Sequence, residues 1–173
     1  MTVTLPPRTS LVGMPTWFDD DVVEPEATGV DHVVMRLGSG RYGVCAPDVA
    51  EVVAVPRATR VPGTPPWVVG VGNWRGHVLP IVDLRSVLGL PVTPLPSSAR
   101  LVVVSVDDVE VGLVAEAVAG LVEVPDELAP TPVTLPAGAS DLLLGLAGSD
   151  LGGPVAVLST TALLALRARL ARR

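Results

Sequence analysis

Two stretches of the chain are copies of one another. Residues 42–56, YGVCAPDVAEVVAVP, align without a gap on residues 111–125, VGLVAEAVAGLVEVP. Gly43 meets Gly112, Ala46 meets Ala115, Val49 meets Val118, Ala50 meets Ala119, Val55 meets Val124 and Pro56 meets Pro125. The segment that follows also corresponds, LPIVDLRSVLG at 79–89 lying opposite VAVLSTTALLA at 155–165. A repeat of this size restricts the chain to architectures built from two similar units. Strands this short do not make a stable flat sheet, so each copy is expected to close into a small barrel and remove its edges. Two such barrels must then bury apolar faces against each other to reach a viable core.

The rest of the chain reads accordingly. Valine is the commonest of the 173 residues, with 17 glycines and 18 prolines, while aromatics make up 3%, a composition that favours short strands and tight turns. Strands are expected at 32–37, 41–46 and 52–55 and in the apolar runs 68–72 and 77–84, then at 101–106, 109–115, 118–124, 142–147 and 154–158. Asp83 to Leu88 reads as a short helix capped by Asp83 and closed by Gly89. Residues 91–98, PVTPLPSS, read as a linker. Ser159 or Thr160 caps a final helix whose apolar stripe is Leu163, Leu166 and Leu170. The organisation expected is an N-terminal extension at 1–30, without sustained period and mobile, carrying Trp17-Phe18 and Asp19 to Asp21. One folded domain follows at 31–173, with a first copy near 31–90, a second near 99–158 and the helix at 159–173.

Charge and cysteine use exclude several functions. The net charge is −6 and all 12 basic side chains are arginine, which leaves no basic face for nucleic acid. Cys45 is the only cysteine, so no intrachain disulfide forms, as suits a reducing cytoplasm. The N-terminus lacks a basic region followed by an apolar core, so no signal peptide is expected. The charge-free run from Leu151 to Leu166 contains Gly152, Gly153 and Pro154 and is shorter than a membrane span. No direct membrane insertion is expected, and the protein should be soluble.

The copies differ at one place that matters. Between two apolar runs the first copy carries Asn73-Trp74-Arg75-Gly76, where the second carries Gly148-Ser149-Asp150-Leu151. An aromatic and a guanidinium on a hairpin tip are what interfaces enrich, and their loss from the twin argues for a task beyond holding the fold. Glu51 lies in the alternating strand VAEVV, where a period of two puts Val49 and Val53 on its face, although Val49 reads equally well as core. Asp83 and Arg85 read as a helix cap and a surface arginine. Cys45 reads as a buried small hydrophobe. His32 and His77 have no metal-ligand spacing to acids or to Cys45, and no nucleophile, base and orienter set is visible. No cofactor is expected. A thiol-dependent hydrolase using Cys45 with His77 or His32 is the alternative from another class. A small-ligand barrel is a third, opposed by the dense valine packing.

The stretch GVGNWRGHVLPIVDLRSVLGL, from Gly70 to Leu90, resembles the GVxNLRGxVxPVVDLRxxLGL signature of CheW-like domains, the adaptors of bacterial chemosensory arrays. Arg41 to Val44, Val49 to Val52, the proline-rich approach from Pro62 to Gly70, and Val111 to Val114 extend the match over about four-fifths of the chain. The resemblance implies an all-β fold of two packed five-stranded SH3- or OB-like barrels, with strands partly exchanged. It implies a non-enzymatic scaffold coupling chemoreceptor tips to the regulatory domain of a CheA-type histidine kinase, or its counterpart in a pilus-type or other non-flagellar system. It places Arg75, with Trp74, Asn73 and Gly76, on the receptor-facing surface, and Glu51, Val49 and Val53 beside the receptor groove. Trp74 stands where the family has leucine, and Ala115-Glu116 and Ser159-Thr160 depart from its usual Val-Asp and Leu-Asp.

Overall fold

The structure, a computed structural model, describes residues 29–131, 135–136 and 139–170, the last four without their side chains. The expectations for Trp17-Phe18, the acidic cluster and Leu170 lie outside those residues or side chains. The first copy contributes β1 (Gly29–Leu37), β2 (Gly40–Cys45), β3 (Val49–Ala54), β4 (Val68–Trp74), β5 (His77–Val82) and α1 (Leu84–Val87). The second contributes β6 (Arg100–Val106), β7 (Val109–Ala115), β8 (Ala117–Pro125), β9 (Leu143–Ala147), β10 (Val155–Leu158) and α2 (Thr160–Leu170). Gly29 and Val30 thus belong to the first strand and not to the extension.

Two five-stranded sheets form, in the orders β8-β1-β2-β10-β9 and β3-β6-β7-β5-β4. The expected fold of two packed five-stranded units is present, and strands are exchanged between the copies, so neither unit is one contiguous copy. Each sheet takes its first hairpin from one copy and its other three strands from the other. The boundaries 31–90 and 99–158 therefore mark repeats in the chain, not bodies in space. The physical reason is that β2 and β7 each run into the opposite sheet, through the turn Ala46–Asp48 in one case and Glu116 alone in the other.

The two sheets repeat even their irregularities. Val49 pairs with Val104 and Glu51 with Val103, which leaves Ala50 as the extra residue of a bulge; Val118 pairs with Met35 and Gly120 with Val34, which leaves Ala119. Val69 and Leu144 are likewise extra where β4 meets β5 and β9 meets β10. Such bulges sharpen the local twist. After β3 the chain curls round to a bridge between Thr59 and Val71, and after β8 to a bridge between Ala129 and Leu146. Those single bridges bring the two edges of each sheet together.

Gly70 makes the first of them possible. Its φ is +150°, and an added Cβ would collide with the carbonyl oxygen of Thr59. Gly70→Ala is therefore expected to destabilise the protein by about 2 kcal/mol or more. Gly38→Ala, with φ +59° but no atom within 4 Å, carries only the left-handed cost of about 1–2 kcal/mol. Urea titrations of the pair check this, and equal midpoints would contradict it.

Three apolar cores hold the assembly. Met35, Leu37 and Val44 of one sheet pack with Val82, Val102, Val104 and Leu113 of the other, closed over by Leu84, Leu88, Leu163 and Leu166. Each buried aliphatic side chain contributes about 1.5–3 kcal/mol, so this shared core is what joins the halves. Leu79, Ile81, Leu101, Val103 and Val114 fill the interior of the second sheet. The smaller set Val124, Ala147 and Val157 fills the first. Asp83 caps α1 by accepting from the Arg85 amide at 3.0 Å, and Ser159 caps α2 by accepting from the Ala162 amide at 3.2 Å.

Candidate functional site

The β4–β5 hairpin closes on two residues, Arg75 and Gly76, after the pair Trp74–His77. Their φ values are +50° and +82°, the left-handed pair that matches the twist of the flanking strands. Glycine or asparagine ordinarily fills the first of these positions; arginine there costs about 1–2 kcal/mol. Asn73 helps fix the turn, its Oδ1 accepting from the Gly76 amide at 3.1 Å.

Glu51 ties the knuckle down. Its Oε2 accepts from the Trp74 Nε1 at 2.8 Å and lies 3.2 Å from the Arg75 guanidinium. The guanidinium carbon stands 5.0 Å from the centre of the indole, a cation–π distance. Trp74 packs over the interior that holds Leu79 and Ile81. Arg75 keeps 66% of its side chain in solvent, so its pair with Glu51 is worth about 0–1 kcal/mol to stability. The arrangement presents a charge-bearing group at a fixed place, backed by an aromatic, on an otherwise valine-rich surface.

Four of the residues singled out in the sequence therefore form the hairpin tip, Asn73, Trp74, Arg75 and Gly76, and Glu51 joins them. Val53 lines the same interior. Val49 does not share that face. The bulge at Ala50 breaks the period of two, so Val49 follows Val104 into the core between the sheets.

At the equivalent end of the other sheet the knot is missing. Gly120 stands where Glu51 would be, and Ser149 and Asp150 where Trp74 and Arg75 would be. A cleft of about 290 Å³ opens there, lined by Leu121, Val122, Glu123 and residues 148–151.

Arg85 overturns its reading as a surface arginine. Its side chain is 2% exposed. It is held by Asp83 Oδ2 at 2.7 Å, Glu116 Oε1 at 2.9 Å and the Thr93 carbonyl at 3.1 Å. Asp83, with burial opposing and Glu116 adding, holds the guanidinium above its ordinary pKa. Glu116 is the residue at which the chain crosses between sheets, and Arg36 lies 4.0 Å from its other oxygen. The signal was the placing of Arg85 between Leu84 and Leu88, on the buried side of a one-turn helix.

Cys45 is half-buried rather than buried. It faces His32 across the β1–β2 ladder, yet the His32 Nδ1 is engaged with the Val30 carbonyl at 2.8 Å. Burial first, then the Asp48 charge, pushes the thiol pKa up, opposite to the lowered value a nucleophilic cysteine needs. Its alkylation by iodoacetamide at pH 8 is expected to run at least about three-fold slower than in the urea-unfolded chain. Rates followed from pH 7 to 10 check this; a rise shifted to lower pH than in the unfolded chain would reinstate a reactive thiol. Among the described residues no group of three or more metal-ligating side chains comes together.

Comparison with known proteins follows the same lines. The CheW-like domain profile matches residues 31–168. Protein PilI of Pseudomonas aeruginosa is 45% identical over 92 residues, covering 52% of this chain and 51% of PilI. Chemotaxis protein CheW of Bacillus subtilis is 33% identical over 89 residues, covering 51% of this chain and 57% of that protein. The match thus spans little more than half of either relative. The crystal structure of scaffolding protein TtCheW from Thermoanaerobacter tengcongensis superposes with a TM-score of 0.67 at 26% identity, over 76% of this chain and 89% of that one.

Proposed function

The chain belongs to the CheW-like family, and from that membership we propose that this adaptor couples the cytoplasmic tips of chemoreceptors to the regulatory domain of a CheA-type histidine kinase. The observation that carries the reading is the knot of Glu51, Trp74 and Arg75, built on one sheet and absent from its twin. A receptor helix carrying a carboxylate meets Arg75, while its apolar face lies against Trp74 and the neighbouring valines. The kinase domain, itself related to this fold, pairs with an apolar end of one sheet. The protein transmits receptor state through geometry and performs no chemistry of its own. No helix among the described residues is long and apolar enough to cross a membrane.

Mixing the purified chain with a kinase regulatory domain and with vesicles bearing receptor cytoplasmic tips tests the reading. Co-sedimentation of the kinase domain that depends on this chain is expected. Failure of both this chain and the kinase domain to pellet with the receptor-bearing vesicles would remove the proposal. The 45% identity to PilI favours a second reading, in which the adaptor serves a pilus-type or other non-flagellar output through the same contacts.

A further inference from the structure

We propose, resting on the reading of Arg75 as the receptor contact, that Trp74 is the positioning residue of that contact and sets its selectivity. It holds the Arg75 guanidinium in one orientation, so that the knuckle selects a partner carboxylate by a fixed planar donor set and not by positive charge alone. The backbone supplies the first reason. At the β6–β7 tip the two left-handed positions fall to Asp107 and Asp108, with φ +49° and +62°, short polar side chains that visit this region readily. At the β4–β5 tip the first such position carries Arg75, at φ +50°. Strain of this kind persists where the surrounding contacts over-determine the conformation, and it gathers at functional sites.

Glu51 alone does not supply those contacts. Its side chain is 34% exposed and that of Arg75 66%, and a pair so open to water holds two long side chains poorly. Trp74 adds two restraints. Its Nε1 donates to Glu51 Oε2 at 2.8 Å, the same oxygen that lies 3.2 Å from Arg75 Nη2, so the carboxylate is aimed where the guanidinium meets it. Its ring stands 5.0 Å from the guanidinium carbon and is itself seated on the core of Leu79 and Ile81. A leucine at this place, as in the family signature, offers neither the N–H nor the aromatic face. Among the described residues Glu51 is the only ion-pair partner of Arg75, and the exposed part of the guanidinium stays open to a carboxylate from outside. A side chain ordered beforehand loses less freedom on binding, which favours the complex. A lysine ammonium is a rotatable point charge and reproduces the charge without the planar fork.

Nitrogen-15 relaxation of the free full chain, joined to sedimentation with vesicles bearing receptor cytoplasmic tips, tests the assignment. The Arg75 Nε–H order parameter is expected to lie above about 0.6 in the wild type and below it in Trp74→Leu. Trp74→Phe keeps the packing and the ring face but not the N–H, and should fall between the two. Receptor binding is expected to weaken about fivefold in Trp74→Leu and about tenfold in Arg75→Lys. An Arg75 order parameter unchanged by Trp74→Leu would overturn the proposal, and so would Arg75→Lys binding the vesicles as tightly as the wild type. If the wild type pellets with no receptor while Trp74→Leu still frees Arg75, the receptor reading fails and the positioning of the guanidinium by Trp74 stands.

Discussion

Arg85→Ala is expected to lower the unfolding free energy by about 3–5 kcal/mol, because it strands Asp83 and leaves Glu116 with only the more distant, half-exposed Arg36. Asp83 and Glu116 are 10% and 13% exposed in their side chains, so water does not replace the lost partner. For a domain of this size the loss corresponds to a fall of roughly 10 °C in Tm. Arg85→Ala combined with Glu116→Gln removes one of the stranded charges and should recover part of the loss. A single-variant loss below about 1 kcal/mol would mean that the cluster behaves as a surface pair. The pH dependence has a definite sign. The folded pKa of Arg85 is raised, chiefly by Asp83, so its contribution is fully present below the unfolded guanidinium value. It disappears only as pH climbs through the still higher folded one. Arg85 itself therefore adds no slope to stability between about pH 6 and 10.

Arg75→Glu carries the second large effect, on binding and not on folding. Receptor co-sedimentation is expected to weaken by at least about 30-fold, the equivalent of about 2 kcal/mol for an interface anchor. Reversing the sign adds repulsion against an acidic partner and places a second carboxylate beside Glu51. Stability should change by no more than about 1 kcal/mol, given the exposure of the side chain. The exchange Glu51→Arg with Arg75→Glu separates the two causes. It restores an ion pair within the knuckle yet presents the wrong charge outward, so receptor binding should stay lost. Recovery of binding in the double variant, or normal recruitment by Arg75→Glu, would remove Arg75 from the receptor contact.

Much of this was legible in the chain because the duplication aligns without gaps. Strand positions follow from the valine-rich runs, and the hairpin tip from Asn73 and Gly76 flanking two residues that do not belong in a core. Three features were not legible in composition and spacing, each for a local reason. A bulge adds one residue without altering composition, so the alternation through Val49 to Val53 reads as continuous although Ala50 turns Val49 to the other side. Arg85 reads as solvated because burial of a cation depends on partners distant in sequence, and Glu116 lies 31 positions away. The exchange of hairpins was implied by the family resemblance alone, and strand composition does not reveal it, for a related cause. The residues that pair β1 with β8 are as apolar as those that would have paired it with β3.

The interleaving of the halves also has a historical reading. A single ancestral unit lending its first hairpin to a neighbour, and borrowing the neighbour's in return, is a swapped homodimer. Such a dimer must show the same face at both ends, since one gene writes both. Joined through residues 91–98, the two protomers became free to diverge. One carries an arginine–tryptophan tip where the other carries Ser149 and Asp150. A fusion of that kind gives a head and a tail in place of two equivalent ends, an asymmetry that the proposed bridge between unlike neighbours would use.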